Sequence, residues 1–271
     1  MGLSDLFLPQ RLPRQIVFAG DRHAETFLLR GRRIAGRSAF AGPALAEGDG
    51  WEAALAALRP EATGVVFNAS PFIFNFFEFD KLPWQRQALR ELVDWRLQKI
   101  FPEDIAAYDH RFFRLDRKRV LSILVRRSLL ERIEAAFAGK EIPLTYIGSS
   151  TMEILARARR AKSAPDFFIE RDGAGCTLAF LERRRPVYIR KFRNVSAADT
   201  VSEIGKTVAF VRSQYGIDPR RYWLHDHLGD ESATAVEAAL KAVPDEETAG
   251  GGEYSRLPLG PGAAPHIPGC S

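Results

Sequence analysis

Residues 64–115 read GVVFNASPFIFNFFEFDKLPWQRQALRELVDWRLQKIFPEDIAAYDHRFFRL. Phe72 to Phe79 alternates Phe72, Phe74 and Phe76 to one face with Ile73, Phe77 and Phe79 to the other, which predicts a strand covered on both sides. Pro83 then opens a helix at a first-turn position, where its missing N–H costs nothing. Leu89, Leu92, Val93, Leu97 and Ile100 recur at helical spacing as a core stripe, and Pro102 ends the helix. Trp84, Ala88, Glu91 and Trp95 form a neighbouring stripe. Two tryptophans there are either edge packing or anchors for a partner. Tyr108 to Leu115 and Arg119 to Val125 follow as a hairpin.

Upstream, Gln15 to Gly20, Thr26 to Arg30 and Ile34 to Phe40 read as a strand meander. Ala41 to Gly50 reads as a loop, Trp51 to Leu58 as a short helix stopped by Pro60, and Val65 to Asn68 as a strand. Downstream, Ser128 to Ala138 is a helix and Leu144 to Ile147 a strand. A further helix starts at Thr151, with Ser150 or Thr151 as its cap. The pattern then restarts with a second meander at 166–171, 177–182 and 187–192, a helix from Ala197 to Tyr215, a strand from Arg221 to His225, and a last helix over 229–243. Two meanders, each followed by helix and strand, predict two related halves around a cleft. The Gly/Pro-rich end from residue 244 reads as disordered.

Composition narrows the function classes. The 271 residues are 46% hydrophobic and 27% charged, enough to bury one large core or two linked ones. Cys176 and Cys270 are too few and too far apart for a disulfide framework or a Cys-rich metal site, which fits a reducing compartment. The most apolar run, 65–79, contains Asn68, Pro71 and Asn75 and is shorter than the roughly eighteen residues of a spanning helix. The opening MGLSDLFLPQRLPR has neither a charged leader nor an apolar block, so a soluble chain is expected. The net charge of +5 is bunched at 157–162, 183–185 and 190–193. Such clusters suit nucleic acid or an anionic membrane surface. Arg183 to Arg185 precede Pro186 where a hairpin should turn, and the arginines of 151–162 sit near a helix C-terminus, so solvated turn and helix-end roles account for them.

The order F-x-F-D-K-L-P-W (77–84), W-R-L-Q-K-I-F-P-E-D (95–104), Y-D-H-R-F-F (108–113), V-L-S-I-L-V (120–125) and I-P-L-T-Y-I-G (142–148) resembles the PilM group of type IV pilus assembly proteins. The related cytoplasmic part of the type II secretion GspL proteins is a near neighbour. The similarity covers roughly residues 15 to 230. It implies an α/β, actin-like (RNase H-like) two-lobed fold with an inserted α+β subdomain and a reduced second lobe. The expected layout is a first lobe at 1–163 with the insertion at about 64–147, a second lobe at 164–243 and a disordered tail at 244–271.

The resemblance also implies where a nucleotide would sit. Actin-like ATPases hold phosphates on two Gly-rich hairpin turns, whose N–H groups reach an anion where side chains are absent. The first turn reads Gly20-Asp21-Arg22-His23, with the family's serines gone and two bulky side chains in the loop. The second, Arg171-Asp172-Gly173-Ala174-Gly175-Cys176-Thr177, is closer to the family's pattern, with Arg171 where a carboxylate is expected. The adenine-side glycines are reduced to Gly229. Gly20, Asp21, Asp172, Gly173, Gly175 and Thr177 are therefore expected to be vestigial nucleotide loops, with no cofactor and no catalysis, ATP/Mg being the alternative. Other candidates are weaker. Gly205-Lys206-Thr207 imitates a P-loop from inside a helix. His225-Asp226-His227 lacks a third metal ligand in sequence, and Asp109 with His110 lacks a nucleophile.

Two function classes result. One is a scaffold on the inner face of the bacterial inner membrane, binding the N-terminal tail of a PilN-like bitopic membrane protein. A PilO-like protein and the assembly ATPase are further partners, and Phe74, Phe76, Trp84 and Trp95 are the candidate contacts. The other is an actin-like nucleotide-binding ATPase. Nucleic-acid binding through Arg183 to Arg193 is a third reading, and the regular alternation of Tyr188 and Phe192 points instead to structural strand residues.

Overall fold

A computed structural model describes residues 13–20, 23–30, 33–41, 51–101, 105–160, 165–173, 175–193, 196–219, 221–226, 234–238 and 254–256. Of the expected loop at 41–50 only Ala41 is among them, and it ends a strand, while Asp21 and most of the expected last helix lie outside them. The first lobe is built on β1 (Gln15–Ala19), β2 (His23–Arg30), β3 (Arg33–Ala41), β4 (Thr63–Phe67) and β8 (Leu144–Ser149), in the spatial order β3-β2-β1-β4-β8. β1 to β3 form the antiparallel meander, while β4 runs parallel to both β1 and β8. Central parallel strands are buried on both faces, and here the alternation is visible in the packing. Val17, Val65, Phe67 and Ile147 enter the main core, whereas Ile16, Val66 and Tyr146 form a smaller cluster on the opposite face. α1 (Trp51–Ala56) and α3 (Arg127–Ala138) cover the main core, with the Trp51 ring against Phe67 and Phe137.

The second lobe repeats this plan. β9 (Phe167–Arg171), β10 (Cys176–Glu182), β11 (Arg185–Phe192), β12 (Tyr222–Asp226) and β13 (Tyr254–Arg256) lie in the order β11-β10-β9-β12-β13. β13 pairs in parallel with β12. The expectation of disorder throughout 244–271 therefore fails at Tyr254–Arg256, because β12 has an edge that this segment fills. The hairpin turn falls on Arg183 and Arg184, both with positive φ, so these arginines are turn residues. α5 (Ala197–Tyr215) alone stands between β11 and β12, capped by Ser196, whose hydroxyl accepts the Asp199 N–H, and closed by Gly216 in the left-handed conformation. Val201, Ile204, Val208 and Val211 of this helix pack on Phe167, Ile169, Leu178 and Phe180. The opposite face of the same sheet supplies Phe168, Ala179, Leu181 and Ile189 to the main core, which thus runs through both lobes.

The third sheet, in the order β5-β7-β6, is made of β5 (Phe72–Glu78), β6 (Tyr108–Arg114) and β7 (Arg119–Arg126). It occupies 72–126, within the 64–147 expected for the insertion. The ends of that range, β4 and β8, belong to the first sheet. α2 (Arg86–Ile100) covers one face, with Leu89, Val93 and Leu97 against Phe77, Val120 and Leu124. The other face carries Phe72, Phe74 and Phe76 into the main core, as the alternation predicted.

α2 begins three residues later than the proline signal placed it. Leu82 is buried and its N–H donates to the Arg117 carbonyl, while the Pro83 carbonyl accepts from the Arg114 guanidinium. These bonds hold 79–83 as an extension of the hairpin, and the first helical bond runs from the Leu89 N–H to the Gln85 carbonyl. Trp84 is therefore in the entry loop and not on a helical stripe with Trp95.

Candidate functional site

The place where the resemblance puts phosphates is the cleft between the ends of β1, β4 and β9. Gly20 is buried at the end of β1, and beside it the Asn68 N–H donates to the Ala19 carbonyl. Asp21 lies outside the described residues. In the second turn, the Asp172 N–H donates to the Gly175 carbonyl (2.9 Å), and the Asp172 carboxylate accepts the Gly175 N–H (2.8 Å). That carboxylate holds its own hairpin, and one of the N–H groups that a phosphate would need is already engaged. A Cβ on Gly175 would stand 2.3 Å from the Phe192 carbonyl oxygen. The glycine is explained by the close approach of β11. Gly173 is exposed, and Thr177 is buried opposite Lys191 in the β10–β11 register.

Two side chains bridge the lobes: Glu170, which the sequence does not single out, and Lys191, which it presents only as part of the basic cluster at 190–193. Glu170, on β9 and almost wholly buried, accepts hydrogen bonds from the hydroxyls of Ser150 and Thr151, the latter at 2.5 Å. These two residues open α4 (Ser150–Arg160), which follows β8 without a loop. Their hydroxyls were expected to cap that helix, and they serve the second lobe instead. Lys191 of β11 donates from Nζ to the carbonyls of Ala69 (2.8 Å) and Ser70 (2.8 Å), in the connection after β4, and of Phe72 (2.9 Å), the first residue of β5. An ammonium has three hydrogens, and all three are engaged. Loss of water around it lowers its pKa below the usual lysine value, while Asp172 and Glu170 act in the other direction. Arg157 of α4 also lies over the Trp223 ring, 5.8 Å from its centroid. The cleft is thus crossed by protein groups of both signs.

The four candidate partner contacts separate into two places. Phe74 lines a cavity of about 300 Å³ with Phe72, Ile73, Ile189 and Lys191, between β5 and β11. Both strands are edges of their sheets, with no strand neighbour on the outer side among the described residues. Phe76 packs beside Phe74 against the main core. Trp84 and Trp95 are 85% and 49% exposed, so neither is edge packing. Trp95 lies on α2, which covers the sheet face opposite Phe74, and its ring carries the Lys99 ammonium 4.1 Å from the centroid. A single short peptide in the cavity would meet Phe74 and not Trp95.

The weaker candidates are placed too. Gly205 to Thr207 are inside α5, where Lys206 pairs with Glu203 and the Thr207 hydroxyl donates to the Glu203 carbonyl. His225 is buried in β12, His227 lies outside the described residues, and no group of three or more metal-ligating side chains occurs among the described residues. The His110 Nε2 is 2.8 Å from Asp94 of α2, an anchoring contact between helix and sheet.

Two lobes with the same five-strand order, and a separate sheet inserted between β4 and β8, define an actin-like fold. No protein-family model and no curated protein match the chain. Among solved structures, a PilM–PilN type IV pilus biogenesis complex matches with a TM-score of 0.67 at 13% identity, covering 92% of this chain and 89% of that one. The cytoplasmic domain of EpsL, an inner-membrane component of the type II secretion system of Vibrio cholerae, matches at 0.55 and 11%, covering 80% and 84%. A protein of actin-like ATPase fold and unknown function from Bacteroides thetaiotaomicron matches at 0.55 and 8%, covering 90% of each chain. The PilM-like resemblance read from the sequence holds at the level of fold.

Proposed function

We propose that the chain is a non-catalytic scaffold of the inner-membrane platform of a type IV pilus or type II secretion machine, cytoplasmic and peripheral to the membrane. In this reading it holds the N-terminal tail of a PilN-like bitopic membrane protein, with a PilO-like protein and the assembly ATPase as further partners. The observation that carries the reading is the cavity lined by Phe72, Ile73, Phe74, Ile189 and Lys191 between β5 and β11, which are edge strands among the described residues. An extended segment gains main-chain hydrogen bonds from such an edge and specificity from a pocket for one side chain. Phe72, Ile73, Phe74 and Ile189 line the pocket and the Lys191 ammonium beside them is engaged by carbonyls, so the pocket suits a Leu, Ile or Phe of the tail. The PilM–PilN complex among the structural neighbours supports a partner of this kind.

The actin-like fold also favours a second reading, a nucleotide-binding ATPase. Against it stand the engagement of the Asp172 carboxylate and the Gly175 N–H within their own turn. Nucleic-acid binding by the basic hairpin is disfavoured as well, since Arg190 is held by Glu203 and Thr207.

Titration of the purified protein with the N-terminal tail of a PilN-like bitopic membrane protein tests the scaffold reading. Phe74→Asp places a charge in the pocket and is expected to weaken binding at least about tenfold, in line with an interface anchor. Binding of the tail to Phe74→Asp at wild-type affinity would remove the pocket from the account.

A further inference from the structure

We infer that the tip of the inserted subdomain around Trp84 is a docking surface for an anionic lipid bilayer. Trp84 is the most exposed large hydrophobic residue of the described chain, at 85%. Among the described residues its ring has no aromatic or cationic partner. The loop that carries it is tied to the β6–β7 turn by three contacts: the Phe79 N–H to the Lys118 carbonyl, the Leu82 N–H to the Arg117 carbonyl, and the Arg114 guanidinium to the Pro83 carbonyl. Those bonds bring Lys81, Arg86, Arg114, Arg117 and Lys118, all exposed, to the same tip as the indole.

The nearby acids offset this charge only in part. Glu78, opposite Arg119 in the β5–β7 register, and Asp80 are exposed, but the Asp116 carboxylate is taken by the Lys118 and Arg119 N–H groups and the Arg119 guanidinium. Burial raises the pKa of Asp116, and these bonds outweigh it, so that the carboxyl is held below its usual value and stays ionised and engaged.

An exposed indole on a loop that shares its tip with several exposed cations matches the water–lipid boundary. The ring has an apolar body and a polar N–H, and the cations meet phosphate headgroups. Two other anionic partners fit less well. Single-stranded nucleic acid is held in grooves with several stacked aromatics, and here a single ring, 85% exposed, stands on the loop. An acidic peptide would need a concavity or a strand edge, which the chain offers at β5 and β11 instead.

The inference rests on the peripheral-membrane part of the proposed function and adds the surface that touches the bilayer. It is tested by sedimentation of the full chain with vesicles of phosphatidylcholine containing about 30% phosphatidylglycerol, against vesicles of phosphatidylcholine alone. Binding is expected to the anionic vesicles only, and to vanish when salt screens the surface. Lys81→Glu with Arg117→Glu is expected to weaken it by more than about 25-fold, each cation contributing roughly fivefold. Trp84→Ala, at an exposed site that leaves the fold intact, should also weaken it.

Equal binding to both vesicle types, no binding to either, or unchanged binding by the variants overturns the inference. Loss in the same variants of binding to a single-stranded oligonucleotide, without vesicle binding by the wild type, assigns the tip to nucleic acid. The tail titration separates the two claims, because Lys81→Glu with Arg117→Glu, which alters no residue of the Phe74 pocket, should bind the tail normally. Vesicle binding without tail binding sinks only the scaffold reading, and tail binding without vesicle binding sinks only this one.

Discussion

Gly175 shows how a residue that looks like part of a phosphate loop comes to be present for another reason. Its N–H bonds the Asp172 carboxylate, and its missing Cβ makes room for the Phe192 carbonyl. Gly175→Ala is expected to destabilise the fold by about 1–3 kcal/mol through overpacking against backbone that has no rotamer to relax. A urea melt with an unchanged midpoint would mean that the turn moves freely and that the glycine has a different purpose. Glu170, Ser150, Thr151 and Lys191 teach the converse. Their local sequence marks Ser150 and Thr151 only as cap candidates and Lys191 only as one of a basic cluster, because their actual partners are 19 to 122 positions away. Hydroxyls next to a helix start read as caps from sequence, and only the packing of two lobes redirects them.

At the scale of elements, strands and long helices were legible because burial imposes a period. The two meanders, β5 with its two covered faces, the β6–β7 hairpin and α5 all follow from alternation or helical spacing. The misses share a cause, which is that long-range pairing overrides a local signal. Pro83 marks a helix start, yet hairpin hydrogen bonds delay α2 to Arg86. A Gly/Pro-rich tail reads as disordered, yet Tyr254–Arg256 completes a sheet.

α2 is fastened to β6 by His110, whose pKa is lowered chiefly by burial and also by Arg90, against the opposing pull of Asp94 and Asp109. A lowered imidazole pKa means that the unfolded chain takes up the proton first as pH falls. Stability is then full above the ordinary value near 6.5 and declines as pH drops through the folded value. Between pH 7.5 and 5.5 the melting temperature of the wild type is expected to fall more than that of His110→Gln, by roughly 1–2 °C. Equal falls would show that His110 titrates as it does in the unfolded chain.

At the scale of the molecule, the fold carries two copies of one five-strand sheet and one inserted sheet, with a continuous apolar core between the lobes. In an actin-like ATPase the cleft is where a nucleotide joins the halves. Here Glu170 joins β9 to α4, and Lys191 joins β11 to the connection after β4. A cleft cross-linked by its own side chains is consistent with the proposed scaffold, in which the partner is placed at the β5 and β11 edges.

The central claim is that this cleft is closed by protein and not by nucleotide, and the melting temperature with and without saturating Mg-ATP tests it most directly. The account predicts superimposable melts. A ligand at about a hundred times its dissociation constant would contribute roughly 2.7 kcal/mol and raise the melting temperature by about 5 °C or more, and a magnesium-dependent rise of that size would contradict the account.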